Sequence, residues 1–379
     1  MKAGKIFRLS LLLACLGWVL TGCTSNWEAV VILDGREAAV LNRKAWGEYE
    51  RFARSEGVPL EQVLYGSGAR VVESLTITTP EGAQHTRDWR EAAGSTWLQE
   101  DGTLVVGGEE FQPASIRVES SPLLEDVEAE LIDVAPTAAA ALGIPAPEIA
   151  VGRVLRKGRA EHVLLLFLDS FGYLRFQEAE AAGLIPVLSG LDPPLLGLTT
   201  YPPITTVSTA SLLTGAPPPI HGVETRGIRK TEQETLLDTA AAAGLEAAAV
   251  EGEALAFQLR SAAFQLSGDR DGDGGTDDNV LANTLDVLSS GMPDLLLVHF
   301  HGIDDLGHQH GPGSPEEEAK IQEVDRGVGV ILEALPPDTL VLIFADHGMH
   351  LEEGGDREGN HQHLIERDML IPIWMEYVP

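Results

Sequence analysis

The chain has 379 residues, 44% of them hydrophobic and 22% charged, with 58 acidic against 26 basic side chains and a formal net charge of −32. That length holds one large α/β domain and a smaller companion. The charge excludes a nucleic-acid partner, because no basic stripe exists to displace counterions, and a polyanionic substrate would be repelled unless local cations reversed the field.

Residues 1–22 read as a lipoprotein signal peptide. Lys2, Lys5 and Arg8 form a positive lead, and "LLLACLGWVL" is an apolar run too short for a membrane span. The run ends in "LTGC", which resembles a bacterial lipobox and implies lipidation of Cys23. The expected location is therefore the cell envelope, with the exported chain anchored to a membrane through Cys23. Cleavage removes Cys15, the other cysteine, so no intrachain disulfide is expected.

Residues 23–120 are expected to form a small β-rich accessory domain, a candidate site for a protein partner. Short strands such as "AVVILDG", "REAAVL", "VVESLTITTPEG", "TLVVGGEEF" and "ASIRVES" are separated by turns. Helices are expected in "AWGEYERFARSEG" and "PLEQVLYG".

Residues 121–379 read as the catalytic domain, with a mostly parallel sheet flanked by helices. Four continuous apolar runs mark strands buried on both faces: "HVLLLFLDS", "PDLLLVHFHG", "TLVLIFADHG" and "MLIPIWMEYV". The Ala-rich "TLLDTAAAAGLEAAAV" and the long "EEEAKIQEVDRGVGVILEAL" read as helices between them. Ligands of such sheets bind beyond the carboxyl ends of the strands. Asp169 ends the first run, Asp304 and His308 follow the second, the pair Asp346-His347 ends the third, and His361 and His363 precede the fourth. Carboxylate and imidazole donors from separate strand ends suit divalent metals, and the count fits two ions.

In this order, "FLDSFG", "SLLTGAPPPIHG", "DDLGHQHGP" and "ADHGMH" resemble the alkaline phosphatase superfamily, closest to its type I phosphodiesterase/nucleotide pyrophosphatase branch, over residues 160–379. The resemblance implies an alkaline-phosphatase-like fold and a metal-dependent phosphate-ester hydrolase. Counting back nine residues from Thr214 makes Thr205 the nucleophile. It implies one ion on Asp169, Thr205, Asp346 and His347, and a second on Asp304, His308 and a later histidine, with His361 preferred and His363 the alternative. Zinc is expected, with manganese or iron as alternatives. "TVSTASLL" independently reads as a helix opening, which would put Thr205 at a positive helix end. Thr206 is the second candidate, and Ser208, Thr209 and Ser211 read as caps and helix-surface hydroxyls.

Two departures stand out. Ser208 occupies the place where pyrophosphatase-type members carry an Asn that contacts the phosphoryl oxygen. In addition, "LIDVAPTAAAALGIPAPEIAVGRVL" (131–155) resembles a segment that usually follows the last catalytic strand, which implies a circular permutation. "DRDGDGGTDD" (269–278) matches early EF-hand positions but has Val280 at the twelfth, so a solvated acidic turn is favoured over a Ca²⁺ site across 269–280. A phosphonate hydrolase and a non-catalytic surface-anchored binding protein on the same fold are the competing readings.

Overall fold

The computed structural model describes residues 27–379 apart from Asp271, Asp273, Glu353, Gly354 and Asp356; the leader and Cys23 lie outside the described residues. Its centre is an eight-stranded sheet in the order 129–130, 195–198, 370–378, 339–344, 162–168, 295–300, 247–251, 263–266. Seven strands run the same way, and only Leu370–Val378 is antiparallel to its two neighbours. Leu164–Leu168, Leu295–Val298 and Val341–Phe344 are fully buried on both faces, as their unbroken apolar sequences require.

The reversed strand places the site. The other strands deliver their carboxyl ends to one edge of the sheet, whereas Leu370–Val378 begins at that edge. Its lead-in residues, including His361, therefore meet Asp169 and Asp346 at the ends of their neighbours.

One helix expectation is corrected. "TLLDTAAAAGLEAAAV" splits into a short helix, Leu236–Ala242, and a strand, Ala247–Glu251, paired with Leu295–Phe300. Alanine has high helix propensity, but burial between two sheet neighbours overrides it. The other long helix appears as Pro315–Ala334, started by the Ser314 hydroxyl accepting from the Glu317 N–H. The segment that begins at Ala129 joins the sheet on the side of Leu370–Val378. Ala129–Glu130 pairs in parallel with Leu195–Leu198, the strand beside Leu370–Val378, and Arg156 sits 5.7 Å from the Tyr377 ring centre.

The N-terminal region folds as a five-stranded sheet and a four-stranded sheet around helices including Arg43–Tyr49 and Leu60–Gly66. Its core is continuous with the region of the eight-stranded sheet, because Leu196, Leu198, Tyr201, Leu364, Ile365, Met369 and Leu370 are buried in it. No described helix is long and apolar enough to cross a membrane.

Behind the site, Arg175 reaches from helix Tyr173–Ala181 to Glu317 on Pro315–Ala334, with Nη2 2.6 Å from Oε2 and Nε 2.9 Å from Oε1. The two side chains are 7% and 2% exposed. Truncating one partner of such a pair leaves an unpaired buried charge, so Arg175→Met should cost about 3–5 kcal/mol. The double variant Arg175→Met/Glu317→Leu should recover most of that loss. Urea unfolding of the three proteins checks both outcomes.

Candidate metal centre

Thr205 is the first residue of helix Thr205–Thr214, which follows the 195–198 strand. Thr206, Ser208, Thr209, Ser211 and Thr214 on this helix are all buried; Thr205 is half-buried. The expectation of surface hydroxyls is thus corrected, because the helix is packed on every side between the sheet and its neighbours. Thr209 Oγ1 donates to the Thr205 carbonyl at 2.6 Å, and Ser211 Oγ lies 2.8 Å from His221 Nε2. Ser208 is fully buried, with Thr199 Oγ1 3.5 Å away, so the place of the expected phosphoryl-contacting Asn lies inside the protein.

Two donor groups converge next to Thr205. In the first, His347 Nε2 lies 3.2 Å from Asp346 Oδ2, 3.6 Å from Asp169 Oδ1 and 3.3 Å from Thr205 Oγ1. In the second, His308 Nε2 lies 3.4 Å from Asp304 Oδ2 and 3.2 Å from His361 Nε2. The i, i+4 spacing puts Asp304 and His308 on one face of helix Gly302–His310. His363 belongs to neither group, its Nδ1 being 3.0 Å from Glu61 Oε2.

The hydrogen bonds of these histidines dictate what they can do. His347 Nδ1 donates to the Gly348 carbonyl at 3.1 Å, His308 Nδ1 to Gly359 O at 2.8 Å and His361 Nδ1 to Pro203 O at 2.7 Å. A carbonyl only accepts, so each Nδ1 carries the proton and each Nε2 presents a lone pair to the site. The carboxylates match. Asp169 Oδ1, Asp304 Oδ1, Asp346 Oδ2 and the Ser170 hydroxyl are buried without a hydrogen-bond partner, four of six such side-chain atoms among the described residues. Burial holds the histidines neutral, pushing His308 down to about 4 and His361 and His347 below their usual value. Burial first, and the neighbouring Asp169 charge second, push Asp304 and Asp346 well up. Neutral imidazoles and crowded carboxylates, each with a buried unpartnered oxygen, are what divalent cations satisfy, so the residues fit the metal assignment.

A third donor group lies behind Asp169 and escaped the sequence reading. Asp169 Oδ2 is 3.2 Å from His299 Nε2 and 3.3 Å from His301 Nδ1, and Glu251 Oε2 is 2.9 Å from His299 Nδ1 and 3.3 Å from His301 Nε2. Burial would raise the Asp169 and Glu251 acidities' pKa values, but the two histidines hold Asp169 well below the carboxylate range and Glu251 at about 2. The network fixes Asp169 Oδ2 and leaves Oδ1 facing the first group. "VHFHG", with two histidines two residues apart at a strand end, was the available signal; Glu251 was hidden in the Ala-rich strand.

In the 269–278 turn, Asp277 is buried and accepts from the backbone N–H groups of His301 and Gly302, so it caps the helix bearing Asp304. Asp269 accepts from the Gly272 and Gly274 N–H groups. Asp271 and Asp273 lie outside the described residues.

Thr205, Asp304, His308 and His361 line a cavity of about 340 Å³ together with Arg226, Arg229 and Arg357. His361 also borders a cleft of about 1190 Å³ whose opposite wall is the N-terminal region, including Arg51, Arg54 and Trp97.

Fold and site define an α/β protein that gathers divalent-cation donors around a hydroxyl at one sheet edge. Residues 164–376, more than half of the chain, match the type I phosphodiesterase / nucleotide pyrophosphatase family, and the chain belongs to that family of phosphoester-cleaving enzymes. GPI ethanolamine phosphate transferase 3, catalytic subunit, of Mus musculus is 39% identical over 84 residues, covering 22% of this chain and 8% of that protein. An uncharacterised pyrophosphatase/phosphodiesterase of Schizosaccharomyces pombe is 37% identical over 70 residues, 17% of this chain and 14% of that protein. The chain thus matches only a small part of these relatives. Among solved structures, phosphonoacetate hydrolase from Sinorhizobium meliloti 1021 in complex with phosphonoacetate is 20% identical, covers 56% of this chain and 59% of that chain, and has a TM-score of 0.41. Murine ectonucleotide pyrophosphatase / phosphodiesterase 5 is 17% identical over 51% of this chain and 58% of that chain, with a TM-score of 0.41.

Glu251 orients His299 and His301, which hold Asp169 Oδ2, so its removal should loosen the first donor group through them. Residues that orient metal ligands typically contribute 10–100-fold in affinity, so Glu251→Ala should weaken zinc binding by roughly that factor. Calorimetric titration of the metal-depleted protein reads the change.

Proposed function

We propose that the protein is a phosphate-ester hydrolase with Thr205 as its nucleophile and two divalent ions. One ion is held by Asp169, Thr205, Asp346 and His347, and the other by Asp304, His308 and His361. The observation that carries this reading is the set of three inward Nε2 lone pairs and three orphaned carboxylate oxygens beside one half-buried hydroxyl. Zinc suits the mixed imidazole and carboxylate set, with manganese and iron as alternatives. When bound, the ions supply Lewis acidity that makes a hydroxyl or water nucleophilic at neutral pH.

The chain's own residues do the rest. Thr205 stands at the positive end of its helix, where a phosphoryl anion is favoured. Its Oγ1 attacks phosphorus and loses its proton, the ester oxygen leaves as an alcohol, and a phosphothreonine is formed. Water then cleaves that phosphoester, restoring the hydroxyl and releasing the phosphate product. Arg226, Arg229 and Arg357 line the cavity and supply positive charge for the substrate anion. Tyr201, Ile204 and His361 continue its wall into the larger cleft, which gives the leaving alcohol room.

The curated relatives named as ethanolamine phosphate transferases favour a second reading, in which an acceptor alcohol takes the phosphoryl group from Thr205 instead of water. The leader ending in Cys23 supports export and lipid anchoring in the cell envelope.

The test is turnover of bis-p-nitrophenyl phosphate, p-nitrophenyl phosphate, a nucleotide p-nitrophenyl ester and phosphonoacetate by the zinc-loaded protein. Thr205→Ala should lower ester turnover by about a thousandfold or more, as removal of other nucleophiles does. Acid quenching of the parent should trap phosphothreonine. Unchanged turnover in Thr205→Ala would remove the nucleophile assignment, and preference for phosphonoacetate would replace ester hydrolysis with C–P cleavage. Added glycerol that collects phosphate at the expense of water would favour transfer. Full metal occupancy with no turnover on any substrate would favour a binding protein.

A further inference from the structure

The loop that carries His361 is held by the N-terminal region. Glu61, on helix Leu60–Gly66, is 5% exposed and spends both carboxylate oxygens on this loop. Oε2 faces His363 Nδ1 at 3.0 Å, and Oε1 accepts from the Leu364 N–H at 2.8 Å. The Leu364 carbonyl accepts from the Val72 N–H at 2.7 Å. Two residues on, Glu366 accepts from the Ser121 hydroxyl and from Arg90 Nη2, both at 2.6 Å. Leu364, Ile365 and Met369 are buried in the N-terminal core.

Contact is close enough to need a glycine. Gly94 has φ +73°, and a Cβ there would stand 2.7 Å from His363 Cε1. The sheet side of the loop is fixed as well, by Asp368, which accepts from the His363 N–H at 2.9 Å and lies 2.8 Å from His350 Nδ1.

His361 sits two residues before this grip, and its Nε2 must stay 3.2 Å from His308 Nε2 for the two to share an ion. Donor placement of that kind tolerates errors of about half an ångström. We propose that Glu61 is a positioning residue for His361, so that the N-terminal region is a working part of the second donor group and not a separable accessory. The inference rests on the two-ion reading above.

The test uses the full chain, stripped of metal and titrated with zinc, with ions per chain counted by mass spectrometry and thermal stability recorded beside it. The parent should bind two ions. Glu61→Ala should keep the ion at Asp169, Asp346 and His347 and bind the other about 10–100-fold more weakly. Glu61→Gln keeps an acceptor for the Leu364 N–H and a polar partner for His363, and should restore two-ion binding. Ile77→Val, a conservative change in the same buried core, should leave both ions in place and controls for general loosening. Two ions at parental affinity in Glu61→Ala would overturn the positioning role and leave the two-ion reading standing. Equal loss of the second ion in Ile77→Val would also overturn it. A parent that binds no ion would overturn both.

Discussion

The structure turns on one electrostatic conflict. Three imidazoles are locked by backbone carbonyls with their lone pairs inward, and Asp169, Asp346 and the half-buried Asp304 each leave a buried oxygen without a partner in the same space. Two facing Nε2 lone pairs 3.2 Å apart repel, and three neighbouring carboxylates repel one another more strongly when all are ionised. Among the described residues, His299 and His301 ease the charge on Asp169 and Arg226 eases that on Asp304, but the oxygens that face the site keep no hydrogen-bond partner. Burial responds as far as protons allow, raising Asp304 and Asp346 and keeping the histidines neutral. Divalent cations relieve both terms at once, because they bind neutral imidazole and ionised carboxylate together. Folding and ion binding are thereby linked, and the folded chain is stabilised to the extent that ions bind it and not the unfolded state.

Topology explains how residues so far apart in sequence reach that conflict. A parallel sheet presents carboxyl ends to one edge, and Asp169, Asp346 and the helix bearing Asp304 and His308 follow three adjacent strands there. Such a sheet would send the beginning of its last strand to the opposite edge. Reversing Leu370–Val378 returns it, and His361 with it, to the others. The lead-in to that strand then has one open side, which the N-terminal core closes. Close backbone approach completes the edge: a Cβ on Gly348 would lie 1.9 Å from the Arg367 carbonyl, so the turn after His347 can seat against the final loop only as glycine.

Legibility followed from how strongly a residue's chemistry is marked in one dimension. Long Leu, Ile and Val runs ending in Asp or His announced the strands and most donors, because a strand buried on both faces cannot alternate polarity. Glu251 was lost for the opposite reason. Its strand is alanine-rich, alanine favours helix locally, and only the neighbouring 295–300 strand makes an extended conformation pay off. The histidines at 299 and 301 were in view, but their partner was not, and a pair of histidines at a strand end carries no chemistry until something faces it. Glu61 had no mark at all. An acid on a short helix in a region free of motifs becomes meaningful only when a loop 302 residues later is folded against it. In the hydroxyl cluster only the helix opening at Thr205 was legible, since burial of the other hydroxyls depends on the packing around the helix.

The acidity of the chain bears on which esters the proposed chemistry could reach. With a net charge of −32, the surface disfavours approach of any polyanion, and that field extends about 8 Å beyond the surface at physiological ionic strength. Beside the donor groups, positive charge comes from Arg226, Arg229 and Arg357, which line the cavity with Asp304 and Asp305, and from whatever ions the donor groups would hold. A phosphodiester carries a single negative charge, which can be placed wholly inside that positive region while the leaving group extends into the neighbouring cleft. A substrate with several phosphates would have to keep some of its charge in the acidic surroundings. Within the proposed reading, charge distribution therefore selects for compact anionic centres, and the mixed lining of the larger cleft, with Phe52, Trp97 and Tyr201 beside Arg51 and Arg54, selects the organic part. On that reading, selectivity would arise on the side of the site that the N-terminal region builds, and reactivity on the side that the sheet builds.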